Sequence, residues 1–179
     1  EIKNILKKEK IKFLYTKNIS KILIDDLKKN KIVGYFSGKM EFGPRALCNR
    51  SILYHGKDKS INNWLNKKLH RTEFMPFAPV TIEEYANKCF IGWNRKDVSG
   101  DFMTMTYKCT PNFIKNCPAS IHIDKTARPQ IIRKKNSKLH KIFKEYLIKT
   151  GELALINTSF NKHEEPIIEN IYDAINSFK

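Results

Sequence analysis

Residues 34–53, GYFSGKMEFGPRALCNRSIL, decide how the rest of the chain is read. Ile32-Val33-Gly34-Tyr35-Phe36 is a short apolar run of strand type, and this strand, over 31–36, empties into a turn centred on Gly43-Pro44. Lys39, Arg45 and Arg50 arrive within twelve residues, and Ser51-Ile52-Leu53-Tyr54 reads as a second short strand. Backbone N–H groups in such a turn, flanked by fixed cations, make an anion cradle.

The cations differ in kind. The chain holds 28 Lys and only six Arg, and four of the six (Arg45, Arg50, Arg71 and Arg128) fall in stretches that read as loops around a site. A guanidinium is a planar fork that grips phosphate or carboxylate through two hydrogen bonds, which an ammonium cannot copy. Those four Arg are placed for geometry; most of the Lys supply only charge.

A length of 179 residues fits one domain, and 41% apolar residues suffice for a core. The net charge of +16 points to an anionic partner: nucleic acid, a nucleotide, a phosphorylated small molecule or an acidic protein face. A biased composition rich in Lys, Asn and Ile is a second source of that charge. Cys48, Cys89, Cys109 and Cys117 form no C-x-x-C pair, and His55, His70, His122, His140 and His163 form no H-x-x-H pair, which argues against a protein-held metal or a redox motif. Reduced thiols fit a cytoplasmic protein. The sequence has no signal peptide and no apolar run near ~18 residues, so no membrane insertion is expected. The chain opens at Glu1 and stops at Phe178-Lys179 within a helix-like pattern, as a piece of a longer protein would.

Residues 1–31 carry ten Lys against four acids; 1–19 reads as a basic lead-in and 20–179 as the folded domain. Ser20 is placed to cap a helix with Leu23 and Leu27 on one face, and Ser60 to cap one with Ile61, Trp64, Leu65 and Leu69. Pro76 and Pro79 forbid a helix through 74–80 and leave an extended segment. Thr81 and Glu84 match a capping box. Met103, Met105 and Tyr107 alternate with threonines as in a half-buried strand, and 120–124 alternates too, with His122 and Asp124 on one face. Pro129–Ile132 is a further strand. Ser137 opens the clearest helix, which Gly151 stops. A buried strand over 153–156, a polar loop over 157–161 and a last helix carrying Ile171, Ala174, Ile175 and Phe178 complete an α/β or α+β sheet domain.

Four segments join strand ends to polar or cationic residues: 38–51, 66–71, 122–130 and 157–161. In 122–130, His122 and Arg128 suit proton transfer and phosphate binding, or the segment is a surface strand whose His122 and Asp124 pair with each other or with water. In 157–161, two amides and two hydroxyls offer neutral donors and acceptors to a planar polar group, or they are ordinary turn formers. Glu41 is either a carboxylate that positions the Arg45 fork or a surface ion pair.

Taken together, GKMEFGPRALCNRSIL (38–53), LNKKLHRTEFMPFAP (65–79), HIDKTARPQ (122–130) and NTSFNKHEEPI (157–167) resemble, in this order, the C-terminal region of the O-carbamoyltransferases of nodulation and antibiotic tailoring. The resemblance runs from about residue 20 to residue 178. It implies a YrdC-like fold: an α/β domain with a twisted mixed open sheet, flanking helices and a cationic concave face. It also implies an activity, formation of carbamoyl-adenylate from carbamoyl phosphate and ATP with release of phosphate and pyrophosphate. A large N-terminal actin-like domain, holding its own metal, would pass the carbamoyl group to an acceptor hydroxyl that this region does not name.

Attack on an α-phosphorus builds charge that fixed cations and magnesium stabilise. The resemblance therefore nominates Lys39, Arg45, Arg50 and Arg128 as catalytic, and Ser51, Arg71, His122, Thr126, Asn157, Ser159 and Asn161 as contacts to nucleotide or carbamoyl group. ATP with Mg²⁺ is expected as a substrate complex, with no metal held by the protein here. The pattern has Gly where this chain has Cys48 and Lys125, so positive φ at either position would strain the backbone. Two rival readings are an RNA-binding basic module and an inactive scaffold that docks on its partner domain. The enzyme reading requires the dispersed Arg side chains to meet at one pocket.

Overall fold

The computed structural model describes residues 2–70, 76–162 and 165–178. Helix α1 (Ile2–Lys8) buries no residue. Helix α2 (Ile19–Lys28) buries Leu23, Ile24 and Leu27, and its cap is Asn18, whose side chain accepts the Lys21 amide; Ser20, the expected cap, lies inside the first turn. The chain continues through β1 (Val33–Phe36), β2 (Arg50–His55), α3 (Ile61–Lys68), β3 (Ala78–Ile82) and α4 (Glu83–Cys89). It then forms β4 (Tyr107–Lys108), α5 (Pro111–Asn116), β5 (Thr126–Ala127), β6 (Gln130–Ile132), α6 (Ser137–Thr150), β7 (Leu155–Ser159) and α7 (Ile171–Phe178).

Five strands make one mixed sheet in the order β1-β2-β7-β3-β6, antiparallel except for β3 beside β6; β4 and β5 form a small antiparallel ribbon. The mixed sheet with flanking helices expected from the sequence is the fold the chain adopts. All six residues of β2 are buried because both faces of the sheet are covered. On one face Ile52, Tyr54 and Ile156 join Phe90, Phe113 and Trp93. On the other, Leu53, Val80 and Leu155 meet Leu23, Ile24 and Leu27 of α2 and Ile142, Phe143, Tyr146 and Leu147 of α6.

Gly34 and Gly151 illustrate two ways in which geometry favours glycine. A Cβ on Gly34 would stand 2.8 Å from the Phe160 ring, so any side chain at this position on β1 would force that ring to shift. Gly151 ends α6 in the left-handed conformation at φ 68°, as a helix stop does. Pro79 sits in β3, where it faces Ile156 of β7; pairing with β6 starts only at Val80.

Several local expectations give way to tertiary structure. Ser60 precedes α3 without a side-chain capping bond, and Trp64 is half exposed while Asn66 is buried. The Thr81–Glu84 capping box does not form: Thr81 belongs to β3 and its Oγ1 donates to the Leu153 carbonyl. Met103 takes a left-handed φ of 56°, so 103–107 is not a strand and only Tyr107–Lys108 pairs. Residues 118–120 form a 3-10 turn and 122–126 a tight loop, replacing the expected alternating strand. Residues 157–159 are not loop but the end of β7.

Candidate functional site

The segment from Ser37 to Ser51 is laced to itself and to the sheet. Arg50, 4% exposed, donates from Nη1 to the carbonyls of Ser37 and Asn49, from Nη2 to those of Gly38 and Glu169, and from Nε to Glu169 again. Its guanidinium lies 3.8 Å from the centre of the Phe36 ring. The fork expected to grip a phosphate grips backbone instead. Burial lowers its pKa, and the charge of Glu41 opposes that shift. Arg50 therefore shapes the loop rather than presenting a free cation.

The loop apex is held by amides from two strands. Asn157 Nδ2 donates to the Ala46 carbonyl at 3.0 Å and to Gln130 Oε1 at 2.7 Å, while Gln130 Nε2 donates to the Leu47 carbonyl at 3.0 Å. Ser51, fully buried, accepts the Cys48 amide through Oγ. Ser51 and Asn157 thus act on the loop from beneath, not as open ligand contacts. Cys48 has φ 74°, the strained geometry foreseen at its position, and its thiol donates to Gln130 Oε1. Burial, aided by the charge of Glu41, pushes that thiol far above the ordinary range, so it stays protonated.

Held this way, the apex presents an exposed Arg45 to a cavity of about 510 Å³. Its walls are Phe42, Pro44, Leu47, Phe102, Met103 and Thr104, with Arg128 completing them. Of the four Arg expected to meet at one pocket, two, Arg45 and Arg128, line this cavity. Lys39 is exposed on the same loop, outside the lining of this cavity. Arg71 lies outside the described residues.

The opposite wall was not read from the sequence. Phe102 and Met103 are carried by a loop anchored by Arg133, whose Nε contacts both Asp101 oxygens at 2.8 and 2.9 Å. Arg133 also donates to the carbonyls of Arg95 and Asp97 and lies over the Trp93 ring. Tyr107 ties the same loop through a hydrogen bond to Asp97. Burial is the largest cause that pushes the Tyr107 phenol up to about 12, reinforced by that bond. Gln130 closes the HIDKTARPQ motif, but its partner Leu47 is 83 residues away in the chain, so its role under the loop has no local signature.

His122 and Thr126 fall elsewhere. His122 faces a separate groove of about 1200 Å³ together with Lys59, Asn62, Ile121 and Asp124. Thr126 Oγ1 donates to Asp124 Oδ1 at 2.7 Å and lies 3.0 Å from His122 Nδ1. Lys125, between them, has φ 62°. Ser159 closes β7 opposite Ser51, and Asn161 Nδ2 donates to the Glu165 carbonyl.

Residues 24–179 match the family described as carbamoyltransferase C-terminus. The chain belongs to that family. It is 40% identical over 179 residues to an uncharacterised protein of Methanocaldococcus jannaschii, covering 99% of this chain and 34% of that protein. It is 32% identical over 165 residues to nodulation protein NolO of Bradyrhizobium diazoefficiens, covering 90% of this chain and 30% of NolO. Nodulation protein U of Rhizobium tropici is 33% identical over 138 residues, 76% of this chain and 23% of that protein. The chain spans about a quarter to a third of the length of the curated relatives it matches. Its fold is shared with part of full-length HypF, solved in a phosphate- and nucleotide-bound form, at a TM-score of 0.60 and 16% identity over 93% of this chain and 20% of that one. Among the described residues of this carbamoyltransferase C-terminal domain, no helix is long and apolar enough to cross a membrane.

Proposed function

We propose that the chain is the adenylate-forming part of an O-carbamoyltransferase. It binds ATP with magnesium and carbamoyl phosphate. Water and carbamoyl phosphate yield phosphate and a carbamate, whose oxygen attacks the α-phosphorus of ATP. The bond from that phosphorus to the bridging oxygen breaks, pyrophosphate leaves, and carbamoyl-adenylate remains.

The observation that carries this reading is the meeting of Arg45 and Arg128 at one cavity with Phe42, Leu47, Phe102 and Met103 around it. Its volume of about 510 Å³ is in the range of small-molecule sites. Apolar side chains suit the faces of a base, and two guanidiniums suit phosphate oxygens. Lys39, on the same loop, adds charge for the leaving pyrophosphate. Arg50, Ser51 and Asn157 keep the loop in place. Positioning and electrostatic stabilisation would carry the rate, since the attacking oxygen belongs to the substrate and no covalent protein nucleophile is needed.

The adenylate is consumed by the remainder of a longer polypeptide, an N-terminal domain that passes the carbamoyl group to an acceptor hydroxyl. The greater length of the relatives supports such a domain. The test is incubation of the full-length protein with carbamoyl phosphate, magnesium and α-labelled ATP. Pyrophosphate and a labelled carbamoyl-adenylate are expected. Release of neither overturns the reading.

A further inference from the structure

Glu41 lies between Lys39 and Arg45 in the sequence, yet its carboxylate serves the backbone. Oε1 accepts from the amides of Leu47 and Asn49 at 2.6 Å each and of Arg50 at 3.3 Å. Three N–H groups gathered on one oxygen are an anion nest, and the chain's own carboxylate fills it. The peptide joining Ala46 to Leu47 is thereby held at both ends: its N–H by Glu41, its carbonyl by Asn157 Nδ2. The next carbonyl, of Leu47, takes Gln130 Nε2. Two consecutive peptides directly after Arg45 are thus pinned by side chains from three parts of the fold. The second oxygen, Oε2, is buried and has no hydrogen-bond partner among the described residues.

We propose that Glu41 is a positioning residue, an internal anion that fixes the backbone of 42–50 in the shape that carries Arg45 to the cavity. It closes the nest to ligand phosphate, leaving anion binding to the side-chain cations. The proposal rests on the nucleotide reading only for its link to catalysis; the fixing of the backbone stands apart from it.

The experiment pairs amide hydrogen exchange with ATP titration in the full-length protein. In Glu41→Ala the amides of Leu47, Asn49 and Arg50 are expected to exchange at least about tenfold faster, with β7 amides unchanged. Glu41→Gln, which keeps an oxygen acceptor, returns exchange close to that of the parent, and formate added to Glu41→Ala does the same. ATP affinity falls about tenfold or more in Glu41→Ala, and combining it with Arg45→Ala gives less than the product of the two losses, since both act through one side chain. If Glu41→Ala does not fold, Glu41→Asp, one methylene short but still charged, is expected to show the same faster exchange. Unchanged exchange at these amides overturns the proposal, and so do losses that multiply. If the parent protein takes no ATP, the nucleotide reading fails and exchange alone decides: acceleration reversed by Gln upholds the positioning role, and its absence overturns it.

Discussion

The side-chain amides of Asn157 and Gln130 meet at 2.7 Å across β3, which separates their strands in the sheet. On β3, Asn157 stands opposite Ala78 and Gln130 opposite Val80. Each then reaches one carbonyl of the Arg45 loop. This pair converts the end of a sheet into a seat for an irregular segment. Asn157→Ala is expected to lower the unfolding free energy by about 1–3 kcal/mol, because it strands the Ala46 carbonyl and takes one of two donors from Gln130 Oε1. Gln130→Ala should cost a similar amount, and the double variant less than the sum. Urea midpoints of the three variants check this; full additivity would mean the amides act independently.

Arg50→Lys removes a planar donor set that one ammonium cannot reproduce. A loss of about 2–4 kcal/mol is expected from the carbonyls left unpaired. Nucleotide affinity should fall only in step with loop order. A variant of parental stability that had lost nucleotide binding would instead make Arg50 a direct ligand contact.

His55 supplies the pH dependence. Its ring packs on Tyr54 with centroids 4.0 Å apart, it is 7% exposed, and its Nε2 has no hydrogen-bond partner among the described residues. Burial holds its pKa below the ordinary imidazole value, against the pull of Glu152 and Asp58. The unfolded chain therefore binds a proton more readily than the folded one. Stability from this group is complete above pH about 6.5 and is lost as pH falls below it. Denaturant midpoints from pH 7.5 to 5 should decline in the parent and decline less in His55→Gln. Equal slopes would contradict the assignment.

Cys48 and Lys125 occupy left-handed backbone at φ 74° and 62°. Lys125 is exposed, so Lys125→Gly relieves strain with nothing lost in packing and should stabilise by about 0.5–1 kcal/mol. Cys48 is buried and bonded to Gln130, so Cys48→Gly trades strain for a cavity and a lost hydrogen bond. No gain is expected there. Thermal melts of both variants test the contrast.

The sequence made the sheet legible where a pattern was local: the apolar run of β1, the Ser137–Gly151 helix, the paired motif strands. It misled where a residue's partner was distant. Thr81 and Ser20 carry capping chemistry, but Thr81 is claimed by the Leu153 carbonyl and Ser20 is displaced by Asn18. The Met103–Tyr107 alternation has the period of a strand, yet Arg133 and Tyr107 fold its loop onto Asp101 and Asp97 instead. At the site, a residue-type argument found the Arg side chains and could not tell a fork that faces a cavity from one that grips carbonyls. Arg50 begins β2 opposite Phe36 and is buried, whereas Arg45 lies exposed on the loop before it. Glu41 offered an ion pair to Arg45 by proximity, whereas the fold turns its Oε1 to three amides.

The central claim is that Arg45 and Arg128 share one nucleotide. Calorimetric titration of ATP and magnesium at low salt into the full-length parent, Arg45→Ala, Arg128→Ala and Arg45→Lys measures it directly. The parent binds, and each of the three variants weakens binding by about tenfold or more, at least about 1.4 kcal/mol, with Lys138→Ala unchanged as the charge control. A parent that takes up no ATP, or Arg variants that bind as the Lys138 variant does, would contradict the account.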